Sequence, residues 1–223
     1  MNTQDLKKFK LPDNPGVYFF LKGKDILYIG KATSLKDRVK SYFSKDLIET
    51  RGPIILDMVF KADKIKFEKT DSVLEALILE AELIKKYQPK YNTKEKSDKS
   101  FNYVCITKEE LPKILVVRGK DLFQKQTKNS SSFAETFGPY TNGSQLKIAL
   151  QIIRKIFPFV DEASSKRANI EFYKQIHLTP ETKEEYIRNI KNLKLFLRGK
   201  KRDVLRNLKK EMNSFAKIKA FEM

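Results

Sequence analysis

The chain has 223 residues, with 46 Lys and Arg against 28 Asp and Glu, a formal net charge of +18 that points to a polyanionic partner. Its 40% hydrophobic and 11% aromatic residues, with eight Gly and eight Pro, exclude a disordered or collagen-like polymer and fit one or two folded domains. The single cysteine, Cys105, cannot form an internal disulfide, and with the single histidine, His177, it cannot furnish a zinc or iron–sulfur site, so the cytoplasm is the expected compartment. No apolar run approaches the roughly 20 residues that span a bilayer, and residues 1–10 lack the apolar core of a signal peptide, which argues against membrane insertion and secretion.

Residues 16–21 (GVYFFL) and 26–29 (ILYI) are aromatic and β-branched runs joined across Gly23, the pattern of a β-hairpin. After Gly30 the period changes to 3.6: Leu35, Val39 and Phe43 share a face and Ser34 is an N-cap, predicting a helix over 35–43. A helix is expected over 53–60, a strand over 65–69, and an amphipathic helix over 73–87 with Leu74, Leu77, Ile78, Ala81 and Ile84 on its buried stripe, ended by Gln88-Pro89. FNYVCI and KILVV read as two more strands, with Cys105 a small core residue in the first, and 135–138 as a third. The polar stretch 120–132 reads as a mobile loop, and 145–157 as a helix. Beyond Pro158 the pattern is helical, near 169–176, 180–197 with a start at Thr179-Pro180, and 203 to the end; His177 reads as an exposed helix-end residue.

Charge is uneven along these elements. Residues 1–100 carry a net +6, 101–163 a net +3, and 164–223 a net +9, densest at Arg198, Lys200, Lys201 and Arg202. Such a run is either a nucleic-acid contact or a solvated helix face.

Within the first hundred residues, polar groups gather where packing does not require them. Tyr18 closes Gly16-Val17-Tyr18, Tyr28-Ile29-Gly30 follows, and then come Lys31, Arg38, Tyr42, Glu75 and Pro89-Lys90-Tyr91-Asn92. This ordered set resembles the GIY-YIG nuclease domain of the UvrC family, the incising subunits of bacterial nucleotide excision repair. The phrases PGVYFF, YIGKATSLKDRVKSYF, EALILEAELIKKYQPKYN and FGPYTN…IRKIFP carry the resemblance over about residues 11–159.

The resemblance implies an α+β fold. A small antiparallel three-stranded sheet flanked by helices would occupy 11–93, an α+β segment 94–160, and a basic helical region 161–223. It also implies metal-dependent hydrolysis of DNA, with Mg²⁺ or Mn²⁺ as cofactor. One carboxylate, assigned to Glu75, would hold the metal, which suffices for a hard cation that keeps its waters. Arg38 would bind the scissile phosphate through its planar fork. Tyr28 would be the general base, although an ordinary phenol costs about 4 kcal/mol to ionise at neutral pH, so positive charge from Lys31 and the metal would have to lower that cost. Tyr18 and Tyr42 would position water or phosphate and Asn92 would order the site. Lys31, Arg38, Lys36 and Lys40, with Arg198, Lys200, Lys201 and Arg202, would contact DNA.

Each residue also has a packing role open to it. Tyr18 and Tyr28 could simply fill a strand face, and Glu75 stands three residues after Ser72, a capping-box spacing. A helix sets Glu80 about 140° from Glu75, so Glu80 and Glu82 are not expected among the ligands.

Two family features are missing. Many relatives carry four cysteines after the IRKIFP-like phrase, and here 159–183 has none, so no iron–sulfur cluster is expected. The C-terminal helix resembles the start of a UvrB-binding hairpin, and the second, RNase H-like nuclease module lies outside the sequence. A fragment of a longer protein, favoured by the end inside a motif, and a short stand-alone homologue are both expected forms. The implied activity is the 3′ incision in damaged double-stranded DNA presented by UvrB after UvrA. The alternatives are a catalytically silent DNA- or UvrB-binding module and a sequence-specific homing or restriction-type nuclease. Oligomeric state is not readable.

Overall fold

The computed structural model describes residues 9–44, 46–95, 101–126, 133–165, 170–180 and 182–221. The chain divides into two compact units, one of residues 1–103, 117–131 and 138–146, the other of 104–116, 132–137 and 147–223. The fold is α+β, as the sequence predicts.

In the first unit, β1 (Gly16–Lys22) lies between β2 (Asp25–Ala32) and β3 (Lys64–Lys69), antiparallel to both. Alternation in β1 turns Val17 and Tyr18 to opposite faces. Val17 and Ile29 pack with Ile84 of α3 (Val73–Tyr87). Tyr18 and Phe20 pack with Leu35 and Val39 of α1 (Leu35–Lys40), Tyr42 of the 3₁₀ turn Ser41–Phe43, and Ile55 and Met58 of α2 (Leu47–Lys61). The sheet is thus covered on both faces, and β2 forms one of its edges.

Two glycines of the motif are demanded by close approach. A Cβ on Gly30 would stand 2.2 Å from the Tyr18 hydroxyl oxygen, and one on Gly16 the same distance from the Glu68 carbonyl oxygen of β3. Tyr18 and Gly30 are cross-strand partners, so the missing side chain of one is the space for the phenol of the other.

Local signals act largely as expected. Ser34 caps α1 by accepting the Asp37 N–H, and Ser72 caps α3 by accepting the Glu75 N–H. Helix α2 begins at Leu47, ahead of the expected residue 53, and kinks at Gly52, whose φ of 78° precedes Pro53, so that the expected helix is only the straight part after the kink. Gln88 ends α3 in the left-handed conformation, and a further short helix, α4 (Lys90–Glu95), follows Pro89.

Strands β4 (Asn102–Thr107), β5 (Ile114–Arg118) and β6 (Phe133–Tyr140) form a second sheet in the order β5-β4-β6. The expected loop over 120–132 is corrected in its first half. Residues Gly119–Gln126 form α5, started by the Gly119 N–H bonding the Phe101 carbonyl and anchored by buried Leu122, while 127–132 lie outside the described residues. Cys105 is buried in β4. Helix α6 (Gly143–Ile156) follows β6, and α7 (Ile170–Gln175), α8 (Lys183–Leu197) and α9 (Lys201–Phe221) complete the described chain.

The α8 start is also corrected. Its cap is Thr182, which accepts the Glu185 N–H, while Thr179 is buried upstream with a hydroxyl that has no partner. His177 is exposed just after α7 with φ 52°, and its N–H bonds the Lys174 carbonyl. In the second unit, Arg154 ties α6 to the stretch 161–178. Its guanidinium donates to the Leu178 carbonyl and the Asp161 carboxylate, both at 2.8 Å, and lies 4.5 Å from the Tyr173 ring centre. No helix among the described residues is long and apolar enough to cross a membrane.

Candidate active site

Three phenols meet on the α1 face of the sheet. Ring centres of Tyr18 and Tyr42 lie 5.7 Å apart, Tyr18 and Tyr28 6.3 Å, and Tyr28 and Tyr42 6.2 Å. The Tyr18 and Tyr42 hydroxyls share a hydrogen bond of 2.7 Å, and Arg38 Nε donates to the Tyr18 oxygen at 3.3 Å. Burial pushes the Tyr18 phenol well above its ordinary range, and burial with neighbouring Tyr28 does the same to Tyr42. Both are therefore neutral hydrogen-bonding groups at physiological pH. Partial burial opposes the Arg38 charge, but Tyr18 and Tyr42 outweigh it and hold the guanidinium more firmly protonated than usual. Tyr28 differs in being only half buried.

A second guanidinium, which the sequence reading did not single out, also stands over the Tyr42 ring. Arg51 lies 4.2 Å over its ring centre and donates to Ser41 Oγ at 2.8 Å. The Gly52 kink immediately after Arg51 is the local signal that could have marked it.

Strand β2 places the remaining groups. Lys31, one residue beyond Gly30, donates its backbone N–H to Glu80 Oε1 at 3.1 Å, and its ammonium lies 3.2 Å from Glu80 Oε2. Thr141 Oγ1 donates to the same Oε2, also at 3.2 Å. Asn92, 4% exposed, accepts the Ile29 N–H through Oδ1 and donates Nδ2 to the Ile29 carbonyl, both at 2.8 Å. It thereby satisfies the outward backbone groups of an edge strand and fixes the residue next to Tyr28.

These side chains border one cleft of 1190 Å³, lined by Tyr18, Tyr28, Lys31, Arg38, Tyr42, Arg51, Glu80, Asn92 and Thr141 among others. Glu75 does not line it. Its N–H bonds Ser72 Oγ and its Oε2 accepts the Asp71 N–H, both at 3.1 Å, so the carboxylate serves the start of α3. The placement expected for Glu75 is therefore corrected: the buried carboxylate presented to the cleft is Glu80. The two do lie on different sides of α3, but the side facing the cleft is that of Glu80. The signal was its position in the apolar stripe, with Ala76 and Leu77 before it and Ile84 after it, where an unpaired acid would be costly.

Lys36 and Lys40 are exposed on α1. In the second unit, Glu135 pairs with both Lys194 at 2.9 Å and Arg198 at 2.6 Å, so part of the basic run is already neutralised; Lys200 and Arg202 are exposed and Lys201 half buried.

Among the described residues no group of three or more His, Cys, Asp or Glu could together hold a metal ion. The cleft instead offers one buried carboxylate, Glu80, with Asp37 and Asp46 at its exposed rim. A single carboxylate fits a hard cation that keeps several waters and takes a further oxygen from a phosphate.

Residues 14–93 match the model of the UvrC-like GIY-YIG domain, and the phenols, guanidinium and carboxylate just described lie inside that span, so the first unit is built around a GIY-YIG domain. UvrABC system protein C of Clostridium botulinum is 36% identical over 95% of this chain, and that of Carboxydothermus hydrogenoformans 36% identical over 91%. The GIY-YIG N-terminal endonuclease domain of UvrC from Thermotoga maritima, a crystal structure with its catalytic divalent cation magnesium, is 36% identical; 99% of that chain and 41% of this one are covered, with a TM-score of 0.35. The chain belongs to the UvrC family. It spans about a third of the length of the curated relatives it matches, 35% of the Clostridium botulinum protein.

Proposed function

We propose that the chain is the GIY-YIG endonuclease part of a UvrC-type excision nuclease, cutting damaged double-stranded DNA on the 3′ side of the lesion when UvrB, loaded by UvrA, presents it in the cytoplasm. The observation that carries the reading is the convergence of Tyr28, Arg38, Lys31 and Glu80 on one cleft. Residues 11–93 would cut, 94–160 would support the nuclease domain, and 161–223 would hold DNA backbone through Arg198, Lys200, Lys201 and Arg202. Lys36 and Lys40 would add contacts beside Arg38.

Glu80, and not Glu75, would hold Mg²⁺ or Mn²⁺, which when bound supplies charge neutralisation at the phosphate and the departing oxygen. Arg38 would bind two phosphoryl oxygens. Tyr28, as its phenolate, would take the proton from the attacking water; Tyr18 and Tyr42, held neutral by burial, are suited to donate hydrogen bonds but not to act as base. The water oxygen bonds phosphorus, the bond from phosphorus to O3′ breaks, the O3′ alkoxide takes a proton from solvent, and a 3′ hydroxyl and a 5′ phosphate result. Lys31 would leave Glu80 for the phosphate once the cation shares the carboxylate.

A nicking assay on lesion-bearing duplex with UvrA, UvrB and Mg²⁺ tests this. Glu80→Ala, Arg38→Ala and Tyr28→Phe should each abolish incision, and undiminished nicking by all three would overturn the reading. Salt-sensitive DNA binding without cleavage by the unaltered chain would favour a silent binding module.

A further inference from the structure

The family-matched span ends at residue 93, yet residues 138–146 fold into the same compact unit. That segment brings Thr141, Asn142 and Gln145 to the wall of the cleft. Only Thr141 among them has a hydrogen bond to the buried carboxylate: its hydroxyl donates to Glu80 Oε2 at 3.2 Å.

We propose that Thr141 is a positioning residue for Glu80, so that the metal-holding carboxylate is completed from outside the nuclease domain. The inference rests on the metal role proposed for Glu80. Three donors meet this carboxylate, two of them from Lys31. The Lys31 ammonium is a positive charge that competes with a cation for Oε2. Thr141 is neutral, so it fixes the plane of the carboxylate without opposing a second positive charge. With the Lys31 backbone N–H on Oε1 and Thr141 on Oε2, both oxygens stay oriented after the ammonium leaves, and each retains a lone pair for a cation.

The hydroxyl is held on a rigid support. Tyr140 before it is 1% exposed, and Asn142 after it accepts the Gln145 N–H at 3.0 Å at the start of α6. Gly143 is pressed against Asn102, where a Cβ would lie 2.8 Å from Nδ2.

The test uses the full chain and Mn²⁺ alone, with bound and free ion counted by electron paramagnetic resonance in the absence of DNA. Thr141→Val keeps the shape and removes the donor. It should weaken Mn²⁺ binding about 10-fold, within the range for removing a partner of a metal ligand. Thr141→Ala should do the same and Thr141→Ser should restore binding. The Mg²⁺ concentration for half-maximal nicking should rise in parallel, with the rate at saturating Mg²⁺ largely kept. If Glu80→Gln abolishes Mn²⁺ binding while folded Thr141→Val and Thr141→Ala bind as the unaltered chain does, the role of Thr141 is overturned and that of Glu80 stands. If the unaltered chain binds no Mn²⁺, both are overturned.

Discussion

Lys31 meets Glu80 twice, with its backbone N–H 3.1 Å from Oε1 and its ammonium 3.2 Å from Oε2. The first contact belongs to the edge of a strand and cannot leave without the strand; the second is a side chain that can. This split gives the site a fixed carboxylate and a transferable charge. It also predicts a contrast between two acids five residues apart on α3. Glu80→Gln should reduce nicking by about two orders of magnitude or more, since it removes the charge that would hold the cation. Glu75→Gln should leave nicking near normal and cost about 1 kcal/mol or less in stability, the range for weakening a helix cap. Parallel urea unfolding and nicking measurements on the two variants check it, and the reverse pattern would return the metal role to Glu75.

The contrast also shows where the sequence was legible. The hairpin, α1, β3 and α3 follow from local period and caps, because Tyr18, Leu35, Val39 and Ile84 obey the alternation their elements require. What escaped was the choice of face. Position on a helical wheel separates Glu75 from Glu80 but does not say which side meets β2, and that is decided by Ile84 packing on Val17 and Ile29. Thr141 escaped for another reason. It lies 61 residues from Glu80, and no local pattern marks a long-range hydrogen bond. Arg51 stands beside a glycine that reads as a break, and its place over Tyr42 depends on a fold that no local pattern spells out.

The Tyr18–Tyr42 pair predicts a pH dependence of stability. Both phenols are raised when folded, so below about pH 10 they are protonated in the folded and unfolded states alike and their contribution is fully present. Above that pH the unfolded chain ionises while the folded chain does not. Stability should then fall by about 1.4 kcal/mol per pH unit for each such phenol. Urea unfolding between pH 9 and 11 should give a steeper decline in the unaltered chain than in a Tyr18→Phe, Tyr42→Phe double variant. Buried Tyr140 and Tyr186 contribute to both proteins, so the difference isolates the pair. Equal slopes would contradict the burial argument.

Arg154 predicts how much one buried guanidinium contributes to the second unit. Its side chain is 7% exposed, bonded to Asp161 and the Leu178 carbonyl and stacked on Tyr173. Arg154→Met keeps the apolar stem but leaves that carbonyl and carboxylate short of a donor. The expected loss is about 2–4 kcal/mol, given that Asp161 retains access to water. Thermal unfolding of the full chain measures it. In buffer without added divalent metal, a chelator should not shift the same transition, because one cysteine cannot ligate a cluster.

Arg51 and Arg38 both lie over the ring of Tyr42, at 4.2 and 5.8 Å from its centre, and both border the cleft. Two planar guanidinium groups around one neutral phenol suit two phosphates of a strand, with Arg38 nearer the Tyr18 hydroxyl and Arg51 on the neighbouring phosphate. Each phosphate contact releases condensed counterions from DNA, so each should add about 0.9 to the magnitude of the slope of log affinity against log salt. Binding of the full chain to duplex without divalent metal, measured from low to moderate salt, should therefore show the slope reduced by about one in Arg51→Gln. Arg38→Gln should give the same reduction, and the double variant about twice it. Nicking separates the two roles: Arg51→Gln should be rescued by high DNA concentration, since it loses affinity away from the scissile bond, whereas Arg38→Gln should stay slow at saturation. An unchanged salt slope in Arg51→Gln would place that guanidinium with Ser41 and Tyr42 as packing alone.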